Sequence, residues 1–269
     1  MKYLCIPLLI FIFLSCKDAQ IKEIKSMVEE SERETETTAQ RYPETLLKVF
    51  AAHGGLESWK DKRVLSFTIP KLDKPETHTI DLFSRHEKIE MPEVTMGYDG
   101  KEFWLADEKR SYKGDPIFYH NLMFYFYSMP FVLGDDGIKY DIAEELVFEG
   151  KSYPGIKISY ESGVGISSKD EYFLYYNPET FQMEWLGYTV TYRSGEKSDN
   201  IKWIRYNDWM EVDDLILPKS ITWHAYEDSQ IKEPKNTVSF ENVVLSEMAK
   251  PKTFFAIPEN AQVINEKNP

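Results

Sequence analysis

The stretch HNLMFYFYSMPF, His120 to Phe131, decides how this chain folds. From Leu122 to Phe131, Ser128 is the only residue that is neither aromatic, aliphatic, methionine nor proline. Asp115-Pro116 just before it is typical of a helix start, because aspartate caps the first free N–H groups and proline fits the first turn. The pattern therefore predicts a helix of roughly 13–15 residues with apolar side chains in every direction.

A helix without a polar face is either enclosed by protein on all sides or lies in lipid. This one is too short to span a bilayer, which takes about 20 residues. Two interpretations remain open: a core helix packed inside a curved sheet, or a lid whose far side faces a ligand cavity.

Around this segment the chain has the alternating pattern of β-strands. Leu65, Phe67 and Ile69 alternate with polar residues, and Asp99-Gly100 is a strong hairpin signal. We count about eleven strands, the pattern of an all-β sandwich or barrel. Two short helical segments precede them, 43–53 and 56–60, and no repeat of fixed period is visible.

The first residues carry a secretion signal. An apolar run from Tyr3 to Leu14 follows Lys2, and it is too short for a membrane span. It ends in Phe13-Leu14-Ser15-Cys16, which resembles the lipobox of bacterial lipoproteins. The alternative is a plain signal peptide with a coincidental cysteine. We predict residues 1–15 as a lipoprotein signal peptide and Cys16 as the lipidated residue, since thioether lipidation needs a nucleophilic sulfur.

Residues 16–41 form the lipidated N-terminus and an acidic tether. From Lys17 to Arg41 the sequence has no aromatic residue, glycine or proline and is rich in charge, a composition that buries too little apolar surface to fold alone. We predict one folded domain over residues 42–269.

Composition excludes several functions. The formal net charge of −13 argues against binding nucleic acid. Both cysteines, Cys5 and Cys16, precede the domain, and no two of the 5 histidines have metal-ligand spacing. We therefore expect no metal, no cofactor and no enzymatic activity. His224 and Arg205, both on predicted strands, would be the first residues to test for catalysis.

Several motifs occur in a characteristic order. They are AAHGGLESWKDKRVLSFTI (51–69), VTMGYDGKEFWL (94–105), HNLMFYFYSMPF (120–131), DEYFLYYNPETFQMEWLGY (170–188), DDLILPKSITW (213–223) and FFAIPENAQVI (254–264). This series resembles the LolA/LolB lipoprotein carrier superfamily over roughly residues 44–264. It is most similar to a branch of bacterial outer-membrane lipoproteins of unknown function.

The resemblance implies a mainly β fold with a few helices: a strongly curved antiparallel half-barrel plugged by helices, with acyl chains held between them. It implies an outer-membrane lipoprotein on the periplasmic or surface face, anchored to the membrane through Cys16, that binds a lipid or other hydrophobic molecule. We expect a monomer. The expected ligand-binding residues are Phe118, Leu122, Met123, Phe124, Phe126, Tyr127, Met129, Phe131 and Trp104.

An alternative function stays open at this point. The half-barrel could be filled by its own side chains, so that the protein is a structural or interaction protein that recognises another envelope protein through an edge strand or an exposed surface. A bound lipid separates the two hypotheses.

Overall fold

The computed structural model describes residues 41–71, 74–161, 169–192 and 194–265. The chain divides into two compact units, Met1–Pro43 and Glu44–Pro269, and the helices and strands given below belong to the second. Residues 1–40 lie outside the described residues, and with them the predicted signal peptide, the lipidated Cys16 and nearly all of the tether. Those assignments stay predictions.

The second unit is mainly β with few helices, as the sequence predicts. Its described residues form fourteen strands in two antiparallel sheets of seven strands each. The first sheet has the order β13-β1-β2-β3-β4-β5-β14 and the second β12-β11-β10-β9-β8-β7-β6. The strands are β1 Val64–Ile69, β2 Glu76–Asp81, β3 Glu87–Met91, β4 Val94–Tyr98, β5 Phe103–Ala106, β6 Ile138–Phe148, β7 Lys151–Tyr160, β8 Tyr172–Tyr176, β9 Met183–Tyr188, β10 Lys202–Val212, β11 Leu215–Glu227, β12 Gln230–Ser239, β13 Glu241–Ser246 and β14 Gln262–Ile264.

The path of the chain is simple. It builds β1 to β5 as one meander, crosses through short helices, and then builds all of the second sheet as another meander. It finally returns to the first sheet, where β13 and β14 pair with the two outer strands of the first meander.

Four short α-helices complete the fold of the described residues: α1 Glu44–Ala52, α2 Leu56–Lys60, α3 Pro116–Tyr119 and α4 Leu122–Tyr127. The first two confirm the helical segments predicted before the first strand. A 3-10 turn, Phe131–Gly134, follows α4. No helix in the parts of the chain described here is long and apolar enough to cross a membrane.

Residues 116–134, called here the aromatic segment, lie between the two sheets. On one side the Tyr127 ring packs against Phe67 of β1, with ring centres 4.6 Å apart. On the other side the Tyr206 hydroxyl of β10 donates to the Phe126 carbonyl at 2.8 Å. The expectation that this segment is enclosed on all sides is thus confirmed for most of its side chains.

The prediction of a single helix through this segment is wrong. Asp115 does cap its start, because its Oδ1 accepts the N–H groups of Ile117 and Phe118. The helix then breaks at Asn121, whose φ of 57° is left-handed. The break has a physical cause: the Asn121 N–H donates to the buried Glu87 carboxylate at 2.8 Å. Asparagine tolerates this conformation better than most residues.

The strand count of about eleven is too low. The sequence predicts one strand over 237–245, but the chain changes sheets there, with β12 ending at Ser239 and β13 beginning at Glu241. The residue between them, Phe240, is buried and its ring packs 4.4 Å from that of Tyr127. β6 and β14 were also not fully predicted, because both are edge strands with little apolar alternation.

His53 joins the end of α1 to the second sheet. Its ring is fully buried, with Nε2 accepting the Met183 N–H at 3.0 Å and Nδ1 donating to the Ile216 carbonyl at 3.1 Å. Burial lowers the pKa of His53 to about 4, although the hydrogen bond to Ile216 acts in the opposite direction. The ring is therefore neutral at physiological pH, and both nitrogens are used.

We predict that His53 makes stability depend on pH. The native pKa lies below the unfolded value near 6.5, so the contribution is complete above pH ~6.5 and is lost as pH falls towards 4. His53→Gln removes this titration. The stability advantage of the wild type over His53→Gln should shrink by about 2 kcal/mol between pH 7.5 and pH 5, as measured by urea unfolding. An advantage that is equal at both pH values would contradict this assignment.

Candidate functional site

A cavity opens where the aromatic segment meets both sheets. Its volume is about 320 Å³. We call it the tyrosine cavity, and it is lined by Tyr98, Phe103, Phe118, His120, Asn121, Leu122, Tyr125, Phe126, Tyr160, Asp170, Tyr172, Tyr188, Thr189, Val190 and Tyr192. Most of these side chains are aromatic, which is the composition expected of a site for an apolar ligand.

The second sheet supplies one aromatic wall. The rings of Tyr160 and Tyr172 are 5.9 Å apart, and Tyr172 lies 6.2 Å from Tyr188. Phe126 of α4 packs against Tyr188 at 5.0 Å and so connects this wall to the aromatic segment. The Tyr188 hydroxyl accepts a hydrogen bond from Trp223 Nε1 at 2.9 Å, which fixes the orientation of its ring.

The first sheet supplies the opposite wall. Tyr98 of β4 and Phe103 of β5 are cross-strand partners with ring centres 4.7 Å apart. The His120 ring lies 4.9 Å from Tyr98 and 5.2 Å from Phe103. His120 is the last residue before the break in the aromatic segment, so the break brings this imidazole against the wall.

A buried network of charged groups lies under this wall. Glu87 of β3 is 0% exposed, and its carboxylate contacts Nδ1 of His78 at 3.2 Å and Nδ1 of His120 at 3.0 Å. The neighbouring Glu76 accepts the Tyr119 hydroxyl at 2.6 Å and lies 3.6 Å from His78 Nε2. The network therefore connects β2 and β3 to the aromatic segment at Tyr119, His120 and Asn121.

The charges in this network stabilise one another. Burial alone would raise the pKa of Glu87, but hydrogen bonds from His120 and His78 lower it to about 2. Burial alone would lower the pKa of His78, but the carboxylates of Glu76 and Glu87 on either side raise it. The buried carboxylate is thus ionised and compensated, and it holds the aromatic segment by charge-assisted hydrogen bonds.

Of the ligand-binding residues expected from the sequence, the structure brings three to the cavity: Phe118, Leu122 and Phe126. Met123, Phe124, Tyr127, Met129 and Phe131 are buried and do not line it. Trp104 is buried on the other face of the first sheet, since it follows the cavity-lining Phe103 in β5 and neighbouring residues of a strand point to opposite faces. Its ring lies against Gly97, where a Cβ atom would come within 2.7 Å of it.

Sequence reasoning missed the polar and tyrosine lining. Tyr160, Asp170, Tyr172 and Tyr188 come from the second sheet and its connections, far along the chain from the aromatic segment. Strand alternation shows that Tyr172 and Leu174 share a face but not that this face adjoins α4. The motif at 170–188 was the available signal, because it contributes three of these four residues.

A second depression of about 500 Å³ lies between the ends of two hairpins of the second sheet. It is lined by Trp203 and His224 among others, and Trp203 points to the opposite face of that sheet from its neighbour Ile204. His224 donates to the Lys232 carbonyl at 2.8 Å, and Arg205 contacts Glu184 at 2.6 Å and covers the Trp185 ring at 4.6 Å. Both residues that the sequence marked as catalytic candidates therefore have packing partners on this face.

Within the described residues no group of three or more His, Cys, Asp or Glu side chains could hold a metal ion. The glycine-containing loop 163–168 lies outside the described residues. The expectation of a non-enzymatic protein stays a prediction.

Residues 76–235, more than half of the chain, match the model of a family described as a family of unknown function, DUF6503. The chain belongs to this family. The matched range runs from β2 to β12 and so includes the aromatic segment and the whole lining of the tyrosine cavity. No curated protein matches the sequence significantly.

Similar solved structures include a LolA superfamily protein from Nitrosomonas europaea, with 11% identity, a TM-score of 0.43 and coverage of 75% of this chain and 95% of that one. A DUF1329 family protein from Desulfovibrio piger shows 12% identity, a TM-score of 0.46 and coverage of 75% and 92%. A putative outer membrane lipoprotein-sorting protein domain from Vibrio parahaemolyticus shows 6% identity, a TM-score of 0.38 and coverage of 75% and 95%. The first of these neighbours is described as a member of the superfamily that the sequence motifs resemble. The likeness is distant, and it establishes no function for this chain.

We predict that Glu87 is essential to the local fold. Glu87→Gln removes the carboxylate shared by His78 and His120 in a fully buried site and leaves His78 only Glu76, at 3.6 Å; losing one partner of a buried pair costs about 3–5 kcal/mol. Glu90→Gln is the matched control, because Glu90 lies on the same strand and pairs with Lys88 near the surface. Urea unfolding should show the large loss for Glu87→Gln and a change within about 0.5 kcal/mol for the control. If Glu87→Gln lowers the free energy of unfolding no more than this small change, the network is dispensable for stability.

Proposed function

We propose that this protein is a membrane-anchored lipoprotein of the bacterial cell envelope that binds a hydrophobic small molecule in the tyrosine cavity. The two sheets act as the walls of a half-barrel, and the aromatic segment is the plug between them. The observation that carries the proposal is an aromatic cavity of about 320 Å³ at the junction of segment and sheets. The proposal of a lipid anchor rests on the lipobox-like sequence Phe13-Leu14-Ser15-Cys16. The proposed location of the protein is the outer membrane.

The cavity volume limits the ligand. Small-molecule sites range over about 300–1,000 Å³, and 320 Å³ lies at the low end. One short alkyl chain or one compact ring system fits this volume, whereas the several acyl chains of a complete lipoprotein anchor do not. The proposed ligand is therefore a molecule with a single chain. No catalytic step is assigned to the site.

A second candidate function is supported by the packing of the aromatic segment itself. Phe124, Tyr127 and Phe131 are 0–1% exposed, so most of the space between the sheets is filled by the protein's own side chains. A domain filled in this way could recognise another envelope protein instead of a small molecule. Blocking the remaining cavity should abolish ligand binding if the first function is correct, and should have no effect on the second function.

We predict that Val190→Trp abolishes ligand binding without unfolding the protein. Val190 lines the cavity and is 42% exposed, so a larger side chain can occupy the entrance without disturbing the core. Val244→Trp is the matched control, since Val244 is 56% exposed and lies on β13, outside the cavity lining.

Native mass spectrometry of gently extracted protein and titration with an apolar fluorescent probe measure the effect. We expect Val190→Trp to weaken probe binding by roughly tenfold or more, and Val244→Trp to bind as the wild type does. If Val190→Trp binds the probe normally, or if neither co-purifying ligand nor probe binding is found in the wild type, the small-molecule proposal is wrong and the second candidate is favoured.

The anchor has its own test. Two or more acyl chains give stable membrane attachment, so Cys16→Ala should move the protein from the membrane fraction to the aqueous fraction of the envelope. Cys5→Ala is the matched control, because this cysteine lies inside the predicted signal peptide and should leave the membrane fraction unchanged. Membrane attachment that survives Cys16→Ala would exclude the lipobox assignment.

A further inference from the structure

The tyrosine cavity contains a carboxylate that has no cationic partner among the described residues. Asp170 lies just before β8, lines the cavity and is 8% exposed. Thr191 donates to its side chain from the backbone N–H at 2.7 Å and also from the hydroxyl, and no lysine, arginine or histidine among the described residues forms an ion pair with it. Burial raises the pKa of Asp170. A carboxylate in such a place is costly unless a partner compensates it.

A second unused acceptor lies in the same cavity. Asn121 is 6% exposed, and its Nδ2 donates to Nε2 of His120 at 2.8 Å. Its other side-chain atom, Oδ1, is buried and has no hydrogen-bond partner. This oxygen is closed off from solvent, so it reaches a ligand only if the Asn121 amide turns towards the cavity.

The rest of the lining is suited to a positive charge. The rings of Tyr160, Tyr172 and Tyr188 line the space, and aromatic rings attract cations most strongly where water is excluded. No lysine or arginine is among the lining residues that the structure describes. The one imidazole, His120, is already engaged at both nitrogens, with Nδ1 at 3.0 Å from the Glu87 carboxylate and Nε2 at 2.8 Å from the Asn121 amide.

We infer that the ligand of the tyrosine cavity is a single-chain amphiphile whose head is a protonated amine. The amine donates hydrogen bonds to the Asp170 carboxylate, and the chain of the ligand lies against the aromatic rings. This inference rests on the proposed function and adds to it the chemistry of the head group. An anionic head of the same size, such as a fatty acid carboxylate, meets the like charge of Asp170 and no lysine or arginine among the described lining residues.

The test compares three probes that share one decyl chain: decylamine, decanol and decanoate. Each is titrated at neutral pH, below its micelle concentration, into the full chain carrying Cys16→Ala, and binding is measured by calorimetry. We expect decylamine to bind roughly tenfold or more tightly than decanol, with decanoate weakest. Asp170→Asn keeps the acceptor for the Thr191 N–H but removes the charge, and it should bring decylamine to the affinity of decanol.

Glu171→Gln is the matched control, because Glu171 is the next residue, pairs with Lys157 at 3.0 Å and does not line the cavity. It should keep the preference for the amine. If decanol or decanoate binds as tightly as decylamine, or Asp170→Asn keeps the preference, the inference is wrong while the proposed function stands. If none of the three probes binds, both are wrong. Should Asp170→Asn fail to fold, the ranking of the probes on the chain without that substitution decides.

Discussion

The enclosure of the aromatic segment is the constraint on which the rest of the structure depends. A run of phenylalanine, tyrosine and methionine without a polar face cannot remain in water, and one sheet can cover only one side of it. Two sheets therefore close on it, with Phe67 on one side and Tyr206 on the other. The segment is too irregular to fill the whole space, and the cavity lies where it breaks and leaves the walls of both sheets facing each other.

The break itself follows from electrostatics. A carboxylate at Glu87, buried in the first sheet, needs donors, and the donors available above it are the Asn121 backbone N–H and the His120 ring. Because the Asn121 N–H bonds to Glu87, the helix is interrupted at Asn121. The same contacts present His120 and Asn121 to the cavity, so the polar network and the candidate site are parts of one arrangement.

Local features of the fold could be predicted from the sequence. Asp115-Pro116 gave the correct start of the aromatic segment, and alternation at Leu65, Phe67 and Ile69 gave the correct inner face of β1. The break at Asn121 could not be predicted, because it depends on a glutamate far away in the chain. For the same reason the sequence led to Phe118, Leu122 and Phe126 but not to Asp170 or the tyrosines of the second sheet. Side chains from separate strands meet only through the topology, which local periodicity does not determine.

The crossing at Phe240 has a consequence for how this family can vary. Only one residue separates β12 from β13. The register of β12 in the second sheet therefore fixes the register of β13 in the first sheet. A one-residue insertion that shifted the pairing of β13 would turn every side chain of that strand to the opposite face. A hairpin turn such as Glu149-Gly150, by contrast, joins two strands of the same sheet, so its length does not set the register between the two sheets. Length variation among relatives should therefore collect at the hairpin tips and be absent from the junction between the sheets.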